Sequence, residues 1–311
     1  MTTSHPGTGR IDFAGYRDCI VLENAQTRVV LGHQAGGRVL EYALDGVNAI
    51  YLDSTQDGKT WKPGEPTFKI QGGRFDIGPE QLVPPHPSLW LGEWSAQITG
   101  PRTARLTSAV DPDLEIQLVR DFRLDEDSSR LTCRQTILNK SKDLTQRLCH
   151  WSRTFAKGGG IVVIPIGDYT RFPNAYVMYG PGNTMLYMPE DPNVRERDGF
   201  LEVLGPPAHP KLGMDSSEGW FAYCMPDNRI FLKSFPTYTD RVYNEIAGLT
   251  VSIWAPQDGH TVEIEPIGPM EILKPGKAAA FEEEWWLLPF EFPQDRNVDL
   301  GTLEETVRNE L

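Results

Sequence analysis

The chain has 311 residues and a formal net charge of −13, from 30 Lys and Arg against 43 Asp and Glu. Its 39% hydrophobic and 23% charged residues are typical of a folded globular protein and exclude global disorder. The acidic balance, with no cluster of Lys and Arg, argues against nucleic acid and anionic membranes as partners.

No apolar run approaches the roughly 18 residues that span a bilayer, and the N-terminal residues lack the charged-then-apolar order of a secretory signal. We therefore expect a cytoplasmic protein. The four cysteines, Cys19, Cys133, Cys149 and Cys224, form no C-x-x-C pair. This spacing favours buried structural thiols over a zinc knuckle or a thioredoxin-type motif, so we expect no metal and no other cofactor.

The predicted elements are mainly β-strands, because short segments alternate with period two between the turns that 29 Gly and 25 Pro provide. Residues 1–12 are predicted to be a flexible N-terminus. The predicted strands are 19–23, 27–31, 38–42, 95–99, 104–108, 114–124, 130–138, 160–165, 230–235, 249–254, 261–265 and 280–288. With no linker and no break in composition, they predict an all-β protein: one large antiparallel β-sandwich domain over 1–311.

Residues 61–87 interrupt the strand pattern with a stretch rich in Gly and Pro, which we predict to be a long functional loop. Its candidate substrate-binding residues, with Trp90 just beyond it, are Arg74, Asp76, Glu80, His86 and Trp90. An aromatic face suits the C–H surface of a sugar, and charged side chains bind its hydroxyl groups. A rigid proline turn with an exposed His86 is the competing interpretation.

The strand at 148–155 carries the first catalytic candidate. Alternation puts His150, Ser152 and Thr154 on one face, with Trp151 and Arg153 on the other. An imidazole on a polar sheet face can exchange a proton near neutral pH, so His150 is a candidate catalytic residue on the floor of a cleft. A buried structural histidine is the alternative. Trp151 and Arg153 are candidate substrate contacts.

Residues 180–198 are a second polar excursion and the second predicted loop. Further along, Tyr243 is another candidate substrate contact. The strand 261–265 has Glu263 and Glu265 on the face opposite its apolar residues. Glu265, just before a Pro-Ile-Gly-Pro turn, is the candidate general base, and a solvated pair of carboxylates is the alternative.

One helix is predicted, as a C-terminal helical tail over 296–311, where Thr302 and Glu305 have the spacing of a capping box. The motifs of other enzyme classes are missing. Gly158-Gly159-Gly160 precedes a strand instead of opening a helix, which argues against a nucleotide site. The sequence contains no H-E-x-x-H and no G-x-S-x-G motif, which argues against zinc proteases and serine hydrolases.

The order of these features resembles the galactose mutarotase-like superfamily, which includes the aldose 1-epimerases. The resemblance is carried by the segment 35–46, by Asn139 and Ser141 followed by His150, and by 262–269 with 273–276 and 281–286. Gly72-Gly73, Pro79-Glu80 and Pro84-Pro85 are similar to the central loop of an uncharacterised bacterial branch, the DUF4380 group.

The resemblance implies a β-sandwich that binds a small-molecule carbohydrate and isomerises it at C1. His150 would then be the acid that protonates the ring oxygen, and Glu265 the base that takes the anomeric hydroxyl proton. The two pKa values must be pushed apart, so that one group holds a proton while the other lacks it.

Three other functions on this fold stay open. The first is a non-catalytic carbohydrate-binding protein. The second is a hexose-6-phosphate 1-epimerase, in which Arg74 or Arg153 would bind the phosphate through a bidentate guanidinium. The third is a polysaccharide lyase, with Arg74, Arg153, Arg241 and Tyr243 as candidates for neutralising a uronic acid and removing its proton.

Overall fold

The computed structural model of the chain describes residues 5–311, except for the side chain of Asn183. The strands in this range are β1 (Thr8–Phe13), β2 (Tyr16–Glu23), β3 (Thr27–Gly32), β4 (Arg38–Leu44), β5 (Val47–Asn48), β6 (Gly73–Gly78), β7 (Trp94–Gly100), β8 (Thr103–Ser108), β9 (Ile116–Leu124), β10 (Leu131–Asn139), β11 (Gln146–Lys157), β12 (Ile161–Pro165), β13 (Val177–Tyr179), β14 (Met185–Leu186), β15 (Val194–Arg197), β16 (Phe200–Val203), β17 (Lys211–Met214), β18 (Trp220–Met225), β19 (Arg229–Ser234), β20 (Val251–Trp254), β21 (Thr261–Pro266), β22 (Glu271–Leu273) and β23 (Ala278–Pro289). The helices are α1 (Pro87–Trp90) and α2 (Leu300–Arg308), and single 3-10 turns cover Ser54–Gln56, Pro181–Asn183 and Ile246–Gly248.

These strands form two antiparallel sheets. The larger sheet runs in the order β1-β2-β3-β4-β6-β11-β21-β20-β17-β13-β14, with β5 beside β4 and β22 beside β11. The smaller sheet runs β15-β16-β12-β18-β19-β23-β10-β9-β8-β7. The predicted all-β antiparallel sandwich with a short C-terminal helix is confirmed.

The main hydrophobic core lies between the two sheets. Phe75 and Ile264 of the larger sheet and Phe122 and Trp285 of the smaller one are buried in the same cluster. Strand alternation sends every second side chain of β6, β11 and β21 into this core and the others to the outer face of the larger sheet. That outer face carries the candidate site.

The C-terminal helix covers the outer face of the smaller sheet. Leu303 and Val307 of α2 are buried against a cluster that includes Ile230 of β19 and Trp286 of β23. The side chain of Asp299 caps this helix by accepting the backbone N–H of Thr302 at 3.0 Å. The N-cap residue is thus Asp299, three residues before the predicted cap Thr302, because the Asp299 side chain supplies the acceptor.

Two other expectations need correction. Residues 1–4 of the predicted flexible N-terminus lie outside the described range, but Thr8–Phe13 form β1, which pairs with β2. The predicted loop 61–87 contains β6, a strand in the middle of the larger sheet between β4 and β11. Glycines at both ends of β6 and the prolines around it hid this strand from a pattern search.

Candidate functional site

A cleft of about 880 Å³ opens on the outer face of the larger sheet. Its floor consists of side chains from four strands of this sheet, Arg74 and Asp76 of β6, Trp151 and Arg153 of β11, Glu263 of β21 and Lys211 of β17. The segments 83–90 and 67–71 and the residues around Tyr51 form its walls. Ligand sites in proteins are concave and combine apolar walls with a few convergent polar groups, and this cleft has that composition.

Arg153 lies at the centre of the floor. Its Nε donates to Glu263 Oε1 at 2.9 Å and its Nη2 to Glu263 Oε2 at 3.3 Å, so the guanidinium binds this carboxylate with two bonds. Its Nη1 lies 3.3 Å from Glu80 Oε1 and 3.9 Å from Asp76 Oδ2. One arginine therefore orders carboxylates from β6, β21 and the loop after β6.

His86 and Asp76 form a buried pair at one side of the floor. The Nε2 of His86 lies 2.7 Å from Asp76 Oδ1, and its Nδ1 lies 2.7 Å from the carbonyl oxygen of Pro84. Burial lowers the pKa of His86, but the Asp76 carboxylate and the Pro84 carbonyl outweigh burial and raise the pKa above its usual value. Burial alone would raise the pKa of Asp76. The positive charges of His86, Arg74 and Arg153 outweigh burial and hold this pKa well below its usual range.

Glu263 and Glu265 form a second titratable pair. Glu263 lines the cleft, whereas Glu265 is fully buried beneath it, where its Oε2 accepts the indole N–H of Trp151 at 2.7 Å. Burial and the adjacent Glu263 carboxylate raise the pKa of Glu265. Burial also raises the pKa of Glu263, but the charges of Arg153 and Arg74 outweigh burial and lower it. The pair therefore holds one proton, on Glu265, and one negative charge, on Glu263.

Arg74 has hydrogen-bonding capacity to spare. Its side chain is 10% exposed, and its nearest carboxylate oxygens, on Asp76 and Glu263, lie 4.0 and 3.9 Å from Nη2. Within residues 5–311, its buried Nε has no hydrogen-bond partner. The guanidinium lies 5.4 Å from the ring centre of Trp90 and 6.0 Å from that of Phe155. Arg74 thus lies beside two aromatic rings in the cleft lining, with its Nη2 3.9 Å or more from these carboxylate oxygens.

At the opposite end of the floor, the ammonium group of Lys211 lies close to two aromatic rings. Lys211 forms an ion pair with Glu80, and its Nζ lies 4.6 Å from the ring centre of Trp151 and 4.9 Å from that of Tyr179. Buried beneath them, Glu245 accepts the backbone N–H of Glu80 at 2.8 Å. Burial raises the pKa of Glu245.

The structure places His150 away from the cleft. Its ring is fully buried on the inner face of β11, stacked between Phe75 at 5.8 Å and Phe281 at 5.7 Å. Its Nε2–H donates to the carbonyl oxygen of Ala279 at 3.2 Å, and burial lowers its pKa to about 4. The alternation predicted for β11 is present, but His150 lies on the face that packs against the smaller sheet. The structure therefore does not bring His150 together with Glu265.

The other predicted site residues divide between the cleft and its surroundings. Lining the cleft are Arg74, Asp76, Glu80, His86, Trp90, Trp151 and Arg153. Glu265 lies directly beneath the floor. Tyr243 is outside the cleft lining, and its hydroxyl accepts the backbone N–H of Tyr238 at 3.0 Å in a surface loop.

Several lining residues are not indicated by the sequence pattern. Lys211 opens β17, a strand that the sequence analysis did not predict, and Trp254 ends β20. Glu263 was identified as one of a pair of carboxylates, but it was ranked below Glu265. The alternation that puts both on one face does not indicate which of them lines the cleft. Among the described residues, no group of three or more His, Cys, Asp and Glu side chains has the arrangement of metal ligands.

The sequence matches no protein-family model and none of the curated proteins. Solved structures nevertheless have the same fold. A galactose mutarotase-like protein from Lactobacillus casei superposes with a TM-score of 0.58 at 11% identity, over 86% of this chain and 99% of that chain. A galactose mutarotase related enzyme from Lactobacillus acidophilus gives 0.54 at 12% identity, over 89% and 99%. A galactose mutarotase-like protein from Clostridium acetobutylicum gives 0.51 at 9% identity, over 93% and 100%.

The fold is therefore that of galactose mutarotase-like proteins, as the sequence resemblance implied. At these identities the similarity extends to the fold alone, and assignment to the DUF4380 group stays a prediction. No helix among residues 5–311 is long and apolar enough to cross a lipid bilayer.

Proposed function

We propose that the cleft binds a carbohydrate and interconverts its anomers, with His86 as the proton donor and Glu263 as the proton acceptor. The observation that carries this proposal is that His86 and Glu263 line the same cleft, with Asp76 bonded to His86 and Arg153 between Asp76 and Glu263. Isomerisation at C1 needs one group that holds a proton and one that lacks it on the same sugar.

The charge on His86 follows from its two hydrogen bonds. The Pro84 carbonyl oxygen only accepts, and the ionised Asp76 carboxylate only accepts, so both ring nitrogens carry hydrogen. A ring oxygen that approaches the imidazolium from the cleft competes with Asp76 for the Nε2 proton. Asp76 keeps the ring oriented, and its negative charge stabilises the imidazolium.

Glu263 is the carboxylate that faces the cleft, and Glu265 controls its charge. Because Glu265 holds the shared proton beneath the floor, Glu263 is ionised and can accept the anomeric hydroxyl proton. Arg153 fixes the orientation of Glu263 through two hydrogen bonds. In this proposal, Glu265 adjusts the base without touching the sugar.

The reaction is balanced in protons. His86 gives one proton to the ring oxygen while Glu263 takes one from the anomeric hydroxyl group, and the C1–O5 bond breaks to give the open-chain aldehyde. After rotation about C1–C2, the hydroxyl group at C5 attacks the other face of the aldehyde. As this C5 hydroxyl group attacks, it returns its proton to His86, and Glu263 gives its proton to the aldehyde oxygen, so both groups regain their starting states. Arg74 donates to sugar hydroxyl oxygens, and Trp90 supplies an apolar face.

Exchange spectroscopy of anomeric protons tests this proposal on a panel of free and 6-phosphorylated aldoses. The wild-type protein is expected to speed exchange of at least one sugar above its spontaneous rate. Glu263→Gln and His86→Asn should each lower that rate by about 10²–10⁴-fold, the range for loss of a general acid or base. Glu282→Gln, an exposed carboxylate on the smaller sheet, is the matched control. Full exchange in Glu263→Gln contradicts the assignment of the base.

A second candidate function is non-catalytic sugar binding, and one observation favours it. Glu263 is already bound by Arg153 through two hydrogen bonds, and this pairing lowers the pKa of Glu263 and weakens it as a base. Titration calorimetry on the same panel separates the two functions. Binding without any enhanced exchange favours the binding protein, and binding with exchange favours the isomerase.

A further inference from the structure

The cleft continues beyond the groups that the proposed reaction uses. A second recess of about 510 Å³ adjoins the cleft, and Tyr51 and His260 line both of them. The cleft alone is at the upper end of the roughly 300–1,000 Å³ range of sites that enclose a drug-sized ligand. A single sugar ring over His86 and Glu263 leaves the far part of this space unfilled.

The recess is built by the end of β11 and the segment beside it. The backbone N–H of Tyr51 donates to the Phe155 carbonyl at 2.8 Å, and that of Lys157 donates to the Ala49 carbonyl at 3.0 Å. The backbone N–H of Gly158 donates to the carbonyl oxygen of His260 at 2.9 Å. This bond joins the third wall, the segment around His260, to the end of β11. Because backbone bonds tie all three walls together, the recess is part of the folded framework.

Several aromatic rings line the cleft, and one of them, Tyr51, also lines the recess. Arg74 lies 5.4 Å from the Trp90 ring and 6.0 Å from the Phe155 ring, and Phe155 lies 6.1 Å from the Trp254 ring. Trp90, Trp254 and Tyr51 are each partly exposed to the cleft. Aromatic faces spread over this length offer successive stacking surfaces, whereas one sugar ring needs one or two.

The chemistry of the recess differs from that of the floor. Its side chains include Asn48, Lys157 and His260, and the proposed donor and acceptor, His86 and Glu263, are not among its lining. Lys157 and His260 are exposed. Neutral and cationic groups without a proton-transfer pair suit the hydroxyl groups of a sugar that is bound and does not react.

From this arrangement we infer that the ligand is a reducing oligosaccharide, whose terminal sugar lies over the floor and whose next unit lies in the recess. This inference rests on the proposed function, because it takes the floor as the reacting subsite. The recess acts as a second subsite that selects for chain length, so the protein binds a di- or trisaccharide more tightly than the corresponding monosaccharide.

The test is titration calorimetry and anomeric exchange on matched series: glucose with maltose and maltotriose, glucose with cellobiose and cellotriose, and mannose and xylose with their β-1,4-linked di- and trisaccharides. In at least one series, the trisaccharide should bind about tenfold more tightly than the monosaccharide, as expected for one or two added contacts. The variant Lys157→Ala, at a residue that lines the recess and not the cleft, should remove most of this gain and leave monosaccharide affinity unchanged. Lys142→Ala, an exposed lysine between β10 and β11, is the control.

The outcomes separate the two proposals. Equal affinities for mono- and trisaccharides, or a gain that Lys157→Ala leaves intact, overturn the second subsite while anomeric exchange still supports the function. A length-dependent gain without exchange supports the subsite and contradicts the isomerase. Failure of every sugar to bind contradicts the carbohydrate function and the subsite together.

Discussion

The imidazole of His86 lies between two acceptors, with Asp76 Oδ1 2.7 Å from Nε2 and the Pro84 carbonyl oxygen 2.7 Å from Nδ1. A neutral imidazole has one donor nitrogen and one acceptor nitrogen, so it can satisfy only one of these contacts. The geometry therefore favours the imidazolium, in agreement with the raised pKa of His86. A cation is thereby fixed at the wall of the cleft.

This pair predicts a pH-dependent contribution to stability. Because the pKa of His86 is raised in the folded state, its contribution is present below the unfolded value of about 6.5 and is lost as pH rises through the folded value. His86→Asn should lower the free energy of unfolding by about 1.5–3 kcal/mol at pH 6, the range for a hydrogen bond to a charged group.

Urea unfolding of both proteins at pH 6 and pH 9 measures this effect. The difference between wild type and His86→Asn should shrink at pH 9. A difference that stays constant with pH contradicts a protonated His86. The ring ¹⁵N shifts of His86 provide a second, direct readout, because imidazolium nitrogens are equivalent in protonation and those of neutral imidazole are not.

Glu265 also predicts a contribution to folding stability that is lost as pH rises. Its raised pKa means that the folded state holds a proton that the unfolded chain releases above its usual value of about 4.3. Folding stability therefore falls as pH rises from that value through the folded pKa. Glu265→Gln, which resembles the protonated acid in shape, should lose this dependence.

At pH 6 we expect Glu265→Gln to stay within about 1 kcal/mol of wild type, because the amide replaces a neutral carboxyl group. At pH 9 it should be the more stable protein. Chemical unfolding across this pH range is the measurement, and Glu282→Gln on the smaller sheet is the control. A loss of several kcal/mol at pH 6 would show that Glu265 is ionised.

Alternation along β11 was predictable, but the face that forms the site was not. In a strand with one solvated face, polarity identifies the outer side. Here both faces are buried and both are polar: Lys233 donates to Thr154 at 2.7 Å on the inner face, and Arg153 binds Glu263 on the outer face. Only the position of the smaller sheet decides that His150 faces the core, and local sequence does not encode that position.

Strand β6, in the middle of the site, was not predicted from the sequence for a different reason. Arg74 and Asp76 belong to β6, whose six residues begin and end with glycine. At Gly78, an added Cβ would come within 2.7 Å of the Cys149 sulfur and 2.9 Å of the Trp151 ring, so close packing requires glycine there. Sequence patterns treat glycine as a turn signal, whereas here it permits the approach of β11.

The burial of His150 predicts that it is dispensable for the reaction. Its ring is stacked between Phe75 and Phe281, so we expect His150→Phe to fold. Sugar binding and anomeric exchange should stay within about twofold of wild type. The variant should also unfold less readily in acid. Because the pKa of His150 is lowered to about 4, protonation of the unfolded chain favours unfolding as pH falls below about 6.5.

Unfolding midpoints between pH 4 and pH 7 measure the second part of this prediction, and the curve of His150→Phe should be flatter than that of wild type. His260→Phe, at an exposed position, serves as the control for stability. Loss of exchange in a folded His150→Phe protein would instead support His150 as the acid that the family resemblance implies.

The two arginines of the floor should separate ligand binding from stability. Arg153 makes two hydrogen bonds to Glu263 and is 16% exposed, so Arg153→Met leaves a buried carboxylate without its partner and should cost about 3–5 kcal/mol of unfolding free energy. Arg74 lies 3.9 Å or more from both neighbouring carboxylates. Arg74→Met should therefore cost much less, because Arg153 still offsets the carboxylates of Glu263 and Asp76.

For Arg74→Met we expect the reverse pattern, a small loss of unfolding free energy and a large loss of sugar affinity. Its side chain lines the cleft, and its Nη2 lies 3.9 Å or more from the neighbouring carboxylate oxygens, so a bound ligand can gain charge-assisted hydrogen bonds from the Nη groups. Arg74→Met should weaken binding by about 10–100-fold, equivalent to roughly 1.5–3 kcal/mol. Urea unfolding and titration calorimetry on the same preparations measure both quantities. If Arg74→Met unfolds as easily as Arg153→Met and binds sugar normally, Arg74 is a structural residue and the cleft lacks its proposed donor.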